Sequence, residues 1–176
     1  MRRLQAARGT PLNRGLPALL AVGVALLGLG ADQASKGAVL GALTPGRPVE
    51  VVGTLLRFNL TFNPGAAFSL GTSMTLALSI FAIVALLACV FVALRRVRTL
   101  PQGLAVGLFM AGISGNLHDR LLRAPGPLLG HVVDFIQLPH FAIFNVADIC
   151  ITSAAVLIIL LSLRSPSGNG KGTGRA

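Results

Sequence analysis

The run Met74-Thr75-Leu76-Ala77-Leu78-Ser79-Ile80-Phe81-Ala82-Ile83-Val84-Ala85-Leu86-Leu87-Ala88-Cys89-Val90-Phe91-Val92-Ala93-Leu94 holds no charged residue, and Arg95, Arg96 and Arg98 follow it at once. As a helix rising 1.5 Å per residue it covers roughly 31 Å, about the thickness of a bilayer's hydrocarbon core. It reads as a transmembrane helix closed by a basic cluster. Composition agrees: hydrophobic residues make up 53% of the chain and charged residues 11%, against about 25% charged in soluble domains.

Working outward, three more spans emerge. Leu16–Ala31 is apolar behind a basic flank of Arg2, Arg3, Arg8 and Arg14. It resembles a secretory signal, but helix can continue through Asp32 and Lys36 to Leu40, which makes an uncleaved span. A third span runs from about Gly103 to Leu117 and carries Gly103, Gly107, Gly112 and Gly115, as expected where helices approach closely. The fourth covers Phe141–Leu163 and ends at Arg164. The domain reading is a basic tail over 1–15, a four-helix membrane domain over 16–164, and a disordered Gly/Ser-rich tail over 165–176. Basic residues before span one, after span two and after span four place both termini in the cytoplasm and the 41–73 and 118–140 connections outside. In the first of these, Val49–Val52 and Leu55–Phe62 alternate in part and are punctuated by Gly53-Thr54 and Asn63-Pro64-Gly65, which predicts a β-hairpin on the outer surface. His131–Ile136 is a candidate third strand. The fold class is therefore membrane α-helical, four transmembrane helices with a small extracytoplasmic β-sheet.

A formal charge of +10 raises the question of nucleic acid. The arginines flank apolar runs and form no aromatic-interleaved patch, so they read as topology signals and no nucleic-acid partner is expected. Cys89 and Cys150 fall inside apolar runs and read as packing residues. His118, His131 and His140 lack the spacing of a zinc pair, so neither a metal nor another cofactor is expected.

The chain has only five acids, and three gather near the outer ends of spans three and four: Asp119, Asp134 and Asp148. Carboxylates in or near hydrocarbon are costly and mark function. Asn116 and Asp119 share a helix face, and Asn145 and Asp148 repeat the spacing. Asp148 reads as the most deeply set, about seven residues into its span. For a partner, Asp119 precedes Arg120 and reads as half of a structural ion pair, whereas Asp134 is flanked by Val132, Val133, Phe135 and Ile136. An apolar flank raises a carboxyl's pKa, and a hydrolytic dyad needs one acid and one base together. Asp134 and Asp148 are the expected catalytic pair. Asp32 and Lys36, four apart, read as an ion pair tying the first span to the outer β element.

Five ordered segments carry a resemblance: Asp32-Gln33-Ala34-Ser35-Lys36, Asn59 through Phe68, Gly115 through Arg120, Val132-Val133-Asp134-Phe135, and Phe144-Asn145-Val146-Ala147-Asp148. The chain resembles signal peptidase II, the bacterial lipoprotein signal peptidases. That resemblance implies four transmembrane helices with an extracytoplasmic β-cradle in the bacterial inner membrane. It implies an aspartic endopeptidase that cuts a prolipoprotein just before its diacylglyceryl-cysteine, with Asp134 and Asp148 catalytic and the site toward the extracytoplasmic face. Asn59, Asn116, Asp119, Arg120 and Asn145 are expected to bind substrate or support the dyad, and Asp32, Lys36, Asn63 and Gly65 to be structural. Partners would be lipidated precursors and membrane lipid, with the protein a monomer. The 121–130 run is altered in length relative to typical members, and the stretch between Asp134 and Asp148 is compressed. The rival reading is a small four-span transporter or proton exchanger. It wants an ionisable group near the bilayer midplane, and the second span has none.

Overall fold

The structure, a computed structural model, describes residues 15–65 and 74–164. The basic N-terminal tail, the last residues of the Asn59–Phe68 segment and the 165–176 tail lie outside the described residues.

Helix α1 spans Gly15–Ala42, and α2 spans Thr75–Arg96 with a π-helical turn at Cys89–Ala93. Helix α3 spans Leu100–Leu122, and α4 spans Val146–Arg164. Among the described residues, α1, α2 and α4 are long and apolar enough to cross a membrane. Helix α3 has the length, at 23 residues, but it carries His118, Asp119 and Arg120 near its end. It starts on a reciprocal cap, in which Thr99 Oγ1 accepts from Gln102 N–H and Gln102 Oε1 accepts from Thr99 N–H.

Helix α3 is the hub, packed against α1, α4 and α2. Small residues allow this. A Cβ at Gly107 would meet the Ala21 carbonyl of α1, and one at Gly112 would meet the Ala147 carbonyl and Ile151 of α4. A Cβ at Gly115 would lie 2.5 Å from Asp32 Oδ2 and 3.0 Å from Ala147 Cβ, so this glycine lets three helices converge beside the acids. The interior is small or polar, with Ala21, Ala111, Ala154, Asp32, Lys36 and Asp119 all buried, while Leu27, Phe81 and Leu163 are 77%, 70% and 78% exposed. Such an inside-out distribution suits a lipid surround, where apolar side chains lose nothing by facing outward.

Strands β1 (Val49–Val52), β2 (Leu56–Asn63) and β3 (Val132–Gln137) form one antiparallel sheet in the order β1-β2-β3. The hairpin and the third strand stand where the sequence placed them. Leu60, Val133 and Phe135 cluster with Val39 and fix the sheet to the end of α1. Strand alternation turns Asp134, paired in register with Thr61, to the opposite face.

Two helix boundaries differ from expectation. Helix α3 runs past Leu117 to Leu122, because the charge of Asp119 is met inside the bundle by Lys36 and Arg123. Helix α4 begins at Val146 rather than Phe141, because the Phe144 backbone is taken by β3: its N–H donates to Ile136 O at 3.0 Å and its carbonyl accepts from Ile136 N–H at 2.8 Å. Asp148 therefore sits in the first turn of α4, not several residues inside it.

Candidate active site

The end of the bundle under the sheet gathers most of the polar side chains singled out in sequence. Asp134 is buried on β3, and each of its oxygens accepts an amide: Oδ1 from Asn145 Nδ2 at 2.7 Å and Oδ2 from Asn63 Nδ2 at 2.9 Å. Burial pushes its carboxyl up to about 6, and the negative charge of Asp148 adds to this. The Asn63 and Asn145 amides and the Lys36 ammonium act in the other direction. Asp148 Oδ1 accepts from Asn116 Nδ2 at 2.9 Å, and Oδ2 accepts from the Asn145 backbone N–H at 3.1 Å. Asn145 thus bonds both carboxylates, one through its side chain and one through its backbone.

The Asn145–Asp148 spacing proves not to be a shared helix face. Asn145 precedes α4, its Oδ1 accepts from Asp148 N–H at 3.1 Å, and the Asp148 carboxylate returns the bond, which makes a reciprocal cap. Asp148 is half-buried, whereas Asp32 and Asp119 are fully buried, so it is not the deepest acid.

Asp119 is an ion-pair residue, as expected, but not with Arg120. Neighbours in sequence point to different sides of a helix. Its carboxylate meets Lys36 Nζ at 2.7 Å and Arg123 Nε, four residues on, also at 2.7 Å. It also accepts the Val133 backbone N–H at 3.2 Å. Arg120 Nη1 is buried with no hydrogen-bond partner among the described residues, and the guanidinium lies within electrostatic reach of Asp134, Asp119 and Asp148.

Asp32 and Lys36 are fully buried and 2.8 Å apart, so they are no surface pair. They tie α1 to the other helices rather than to the β element: Lys36 reaches Asp119 on α3, and Asp32 Oδ1 accepts the Ala147 N–H of α4 at 2.9 Å. Asn59 lies apart from the dyad, donating to Gln137 Oε1 at 3.1 Å across the irregular part of the β2–β3 register. Asn63, expected to be only structural, touches Asp134. Gly65 has φ 135° and donates its N–H to Asn63 Oδ1 at 2.9 Å, which turns the Asn63 amide nitrogen toward the acid. Sequence reading missed Gln33, whose Nε2 reaches Asp32 Oδ2 at 3.0 Å and Gly115 O at 3.1 Å, and Arg123. The i, i+4 rule applied to Asp119 finds Arg123. No group of three or more potential metal ligands gathers among the described residues.

Two carboxyls bridged by Asn145, one of them with a pKa raised by burial, under a sheet at one end of a lipid-facing bundle are the groups that a membrane-embedded aspartic hydrolase requires. Residues 24–164 match the family model described as signal peptidase (SPase) II. The chain is 42% identical over 149 residues to the lipoprotein signal peptidase of Streptomyces coelicolor, covering 84% of this chain and 72% of that one. It is 40% identical over 146 residues to that of Rhodococcus jostii, covering 82% and 73%. A solved bacterial membrane enzyme superposes with a TM-score of 0.72 at 29% identity, over 92% of this chain and 95% of the other. This chain belongs to the signal peptidase II family, and it is a multi-pass protein of the bacterial cell membrane. Nothing in these likenesses supports a transporter.

Proposed function

We propose that this protein removes the signal peptide from lipid-modified prolipoproteins, cutting just before the diacylglyceryl-cysteine, with Asp134 and Asp148 as the catalytic dyad. The observation that carries the dyad is Asn145, which holds Asp134 Oδ1 at 2.7 Å and Asp148 Oδ2 at 3.1 Å and so keeps two like charges side by side. Neighbouring carboxyls of this kind share a proton. The ionised one takes a proton from a water between them, the resulting hydroxide adds to the scissile carbonyl carbon, and the protonated one donates to the carbonyl oxygen. Collapse of the tetrahedral intermediate breaks the C–N bond, and the proton first taken from water passes to the leaving amine. Arg120, half-buried and with its Nη1 unbonded among the described residues, meets the polar part of the lipidated substrate. Asn116 and Asn145 orient the dyad. Purified protein in detergent is expected to convert a lipidated precursor into a mature chain whose new N-terminus is the lipidated cysteine. Cleavage elsewhere, or none, would sink the proposal.

The proposed arrangement has four spans, α3 being the fourth, screened from lipid by α1, α2 and α4. The membrane domain covers 16–164, and the substrate enters sideways from the bilayer because its acyl chains are insoluble in water. Arg95, Arg96, Arg98 and Arg164 lie in chain order at the ends that the basic flank rule assigns to the cytoplasm, and both termini belong there. The sheet and the dyad belong to the outer face. Reporter fusions after Arg98 and Arg164 are expected to read cytoplasmic, and one at Gly53 outside. An outside signal after Arg98 would invert the arrangement.

The dyad also sets a pH dependence. With the Asp134 carboxyl pushed up to about 6 by burial, the singly protonated dyad loses its proton as pH rises past that point. The alkaline limb of kcat/KM for the free enzyme is expected there. The Asn63 amide favours the charged carboxylate, so Asn63→Ala raises the pKa and moves the limb upward. A hydrogen bond of about 1 kcal/mol corresponds to roughly 0.7 of a pH unit. A downward move in the pH profile would show that Asn63 does not stabilise the ionised form.

A further inference from the structure

We propose that Lys36 is a positioning residue of the dyad: its ammonium, shared among Asp32, Asp119 and Asn116, fixes the backbone that leads into both catalytic aspartates and the direction in which the Asn116 amide points. The inference rests on the dyad assigned above and adds what holds it in place.

Lys36 Nζ lies 2.8 Å from Asp32 Oδ2, 2.7 Å from Asp119 Oδ2 and 3.2 Å from Asn116 Oδ1, so each of its three N–H donors has an acceptor. Each carboxylate passes the constraint on. Asp119 Oδ2 accepts the backbone N–H of Val133, the residue before Asp134, at 3.2 Å. Asp32 Oδ1 accepts the backbone N–H of Ala147, the residue before Asp148, at 2.9 Å. One cation therefore joins two anions, and each anion grips the peptide immediately ahead of one catalytic acid. Strand β3 and helix α4 are separate elements, and this frame sets their spacing at the dyad.

The third bond addresses the amide. Asn116 Oδ1 accepts from Lys36 Nζ at 3.2 Å and from Asn145 Nδ2 at 3.0 Å, which leaves its NH2 group to donate to Asp148 Oδ1 at 2.9 Å. An asparagine beside a titrating carboxyl can turn over when that carboxyl takes a proton, since its oxygen then faces a donor. Two donors fixed on Oδ1, one of them charged, remove that freedom through the cycle. Simple charge neutralisation would not need this geometry. Asp32 and Asp119 are balanced by Lys36 and Arg123, and Gln33 Nε2 also bonds Asp32 at 3.0 Å. Gln33 Nε2 also reaches Asp119 Oδ1, at 3.5 Å, but among the described residues only Lys36 touches both acids of the frame and the amide.

The test compares Asp32→Asn with Asp32→Asn/Lys36→Met. The double variant removes one charge of each sign, and the amide oxygen introduced by Asp32→Asn can still accept the Ala147 N–H. Steady-state cleavage of a lipidated peptide is expected to show kcat at least about tenfold lower in the double variant, since displacements of about 1 Å at reacting groups cost up to about a hundredfold. KM should be unchanged, because Lys36 is fully buried and its ammonium is taken up by Asp32, Asp119 and Asn116. Lys36→Arg, made in the unaltered chain, keeps the charge but cannot aim one donor at each of three oxygens, and it is expected to lose kcat similarly at unchanged KM. A folded variant of either kind with parental kcat overturns the proposal, and so does failure of both to fold, which would make Lys36 a residue of the fold alone. Asp134→Asn is assayed beside them. If it still cuts, the dyad reading and this inference both fall; if it is dead while the Lys36 variants keep kcat, only this inference falls.

Discussion

Asp134→Asn and Asp148→Asn each leave a protein that inserts in the membrane and binds a lipidated precursor but no longer cuts it. Loss of an acid–base partner from a hydrolase constellation costs on the order of 10⁴-fold in kcat, and here either carboxyl alone lacks the means both to take a proton from water and to give one to the carbonyl. The substitutions are gentle on the fold. At position 134 an asparagine keeps an acceptor for one of the amides of Asn63 and Asn145 and removes a charge that burial disfavours. At position 148 the side chain is half-buried in the first turn of α4, where asparagine can still accept the Asn145 backbone N–H. The measurement is single-turnover cleavage at saturating substrate, with binding followed separately. Near-normal turnover by either variant would remove that residue from the dyad.

The burial of Asp134 on an apolar strand, on which its proposed pairing with Asp148 rests, was legible because it depended on immediate neighbours. Val133 and Phe135 predict an apolar strand, a strand packed on a membrane bundle is buried, and burial raises a carboxyl's pKa. The apolar helices α1, α2 and α4 were legible for a related reason, since hydrocarbon imposes length and composition on every crossing helix. Three readings failed where sequence spacing has more than one structural meaning. A three-residue interval puts Asn116 and Asp119 on one helix face, yet between Asn145 and Asp148 the same interval is a helix cap, because Phe144 is claimed by β3. Asp119 next to Arg120 suggested a contact pair, but it is Arg123, four residues on, that the helix brings to the carboxylate, while Arg120 stays within electrostatic reach without a hydrogen bond to it among the described residues. Asp32 and Lys36 read as a tie from the first span to the β element, and the structure spends them on the other helices instead. Gly115 and Gly112 let α3 and α4 close over them, and no local pattern shows which faces will meet.

Asp119→Asn is the contrasting case, and its largest effect falls on stability. The Asp119 carboxylate is fully buried and holds Lys36 and Arg123 at 2.7 Å each as well as the Val133 N–H at 3.2 Å. An asparagine has one acceptor oxygen, so its NH2 must face a cation that is itself only a donor. Breaking a buried ion pair from one side costs roughly 3–5 kcal/mol, because the partner is left uncompensated. Lys36 keeps Asp32, and Arg123, a quarter exposed, can turn to solvent, which puts the cost at the low end. In a domain of this size each kcal/mol lowers the melting temperature by about 2–4 °C, so a fall of about 10 °C is expected in a detergent melting curve. Some cleavage survives, because both carboxyls of the proposed dyad remain and only the strand carrying Asp134 loses an anchor at Val133. Asp134→Asn shows the reverse pattern, a nearly parental melt with no chemistry. If Asp119→Asn melted like the parent and was dead while Asp134→Asn still turned over, the two acids would exchange roles, and the catalytic pair would be Asp119 with Asp148 across the Asn116 amide.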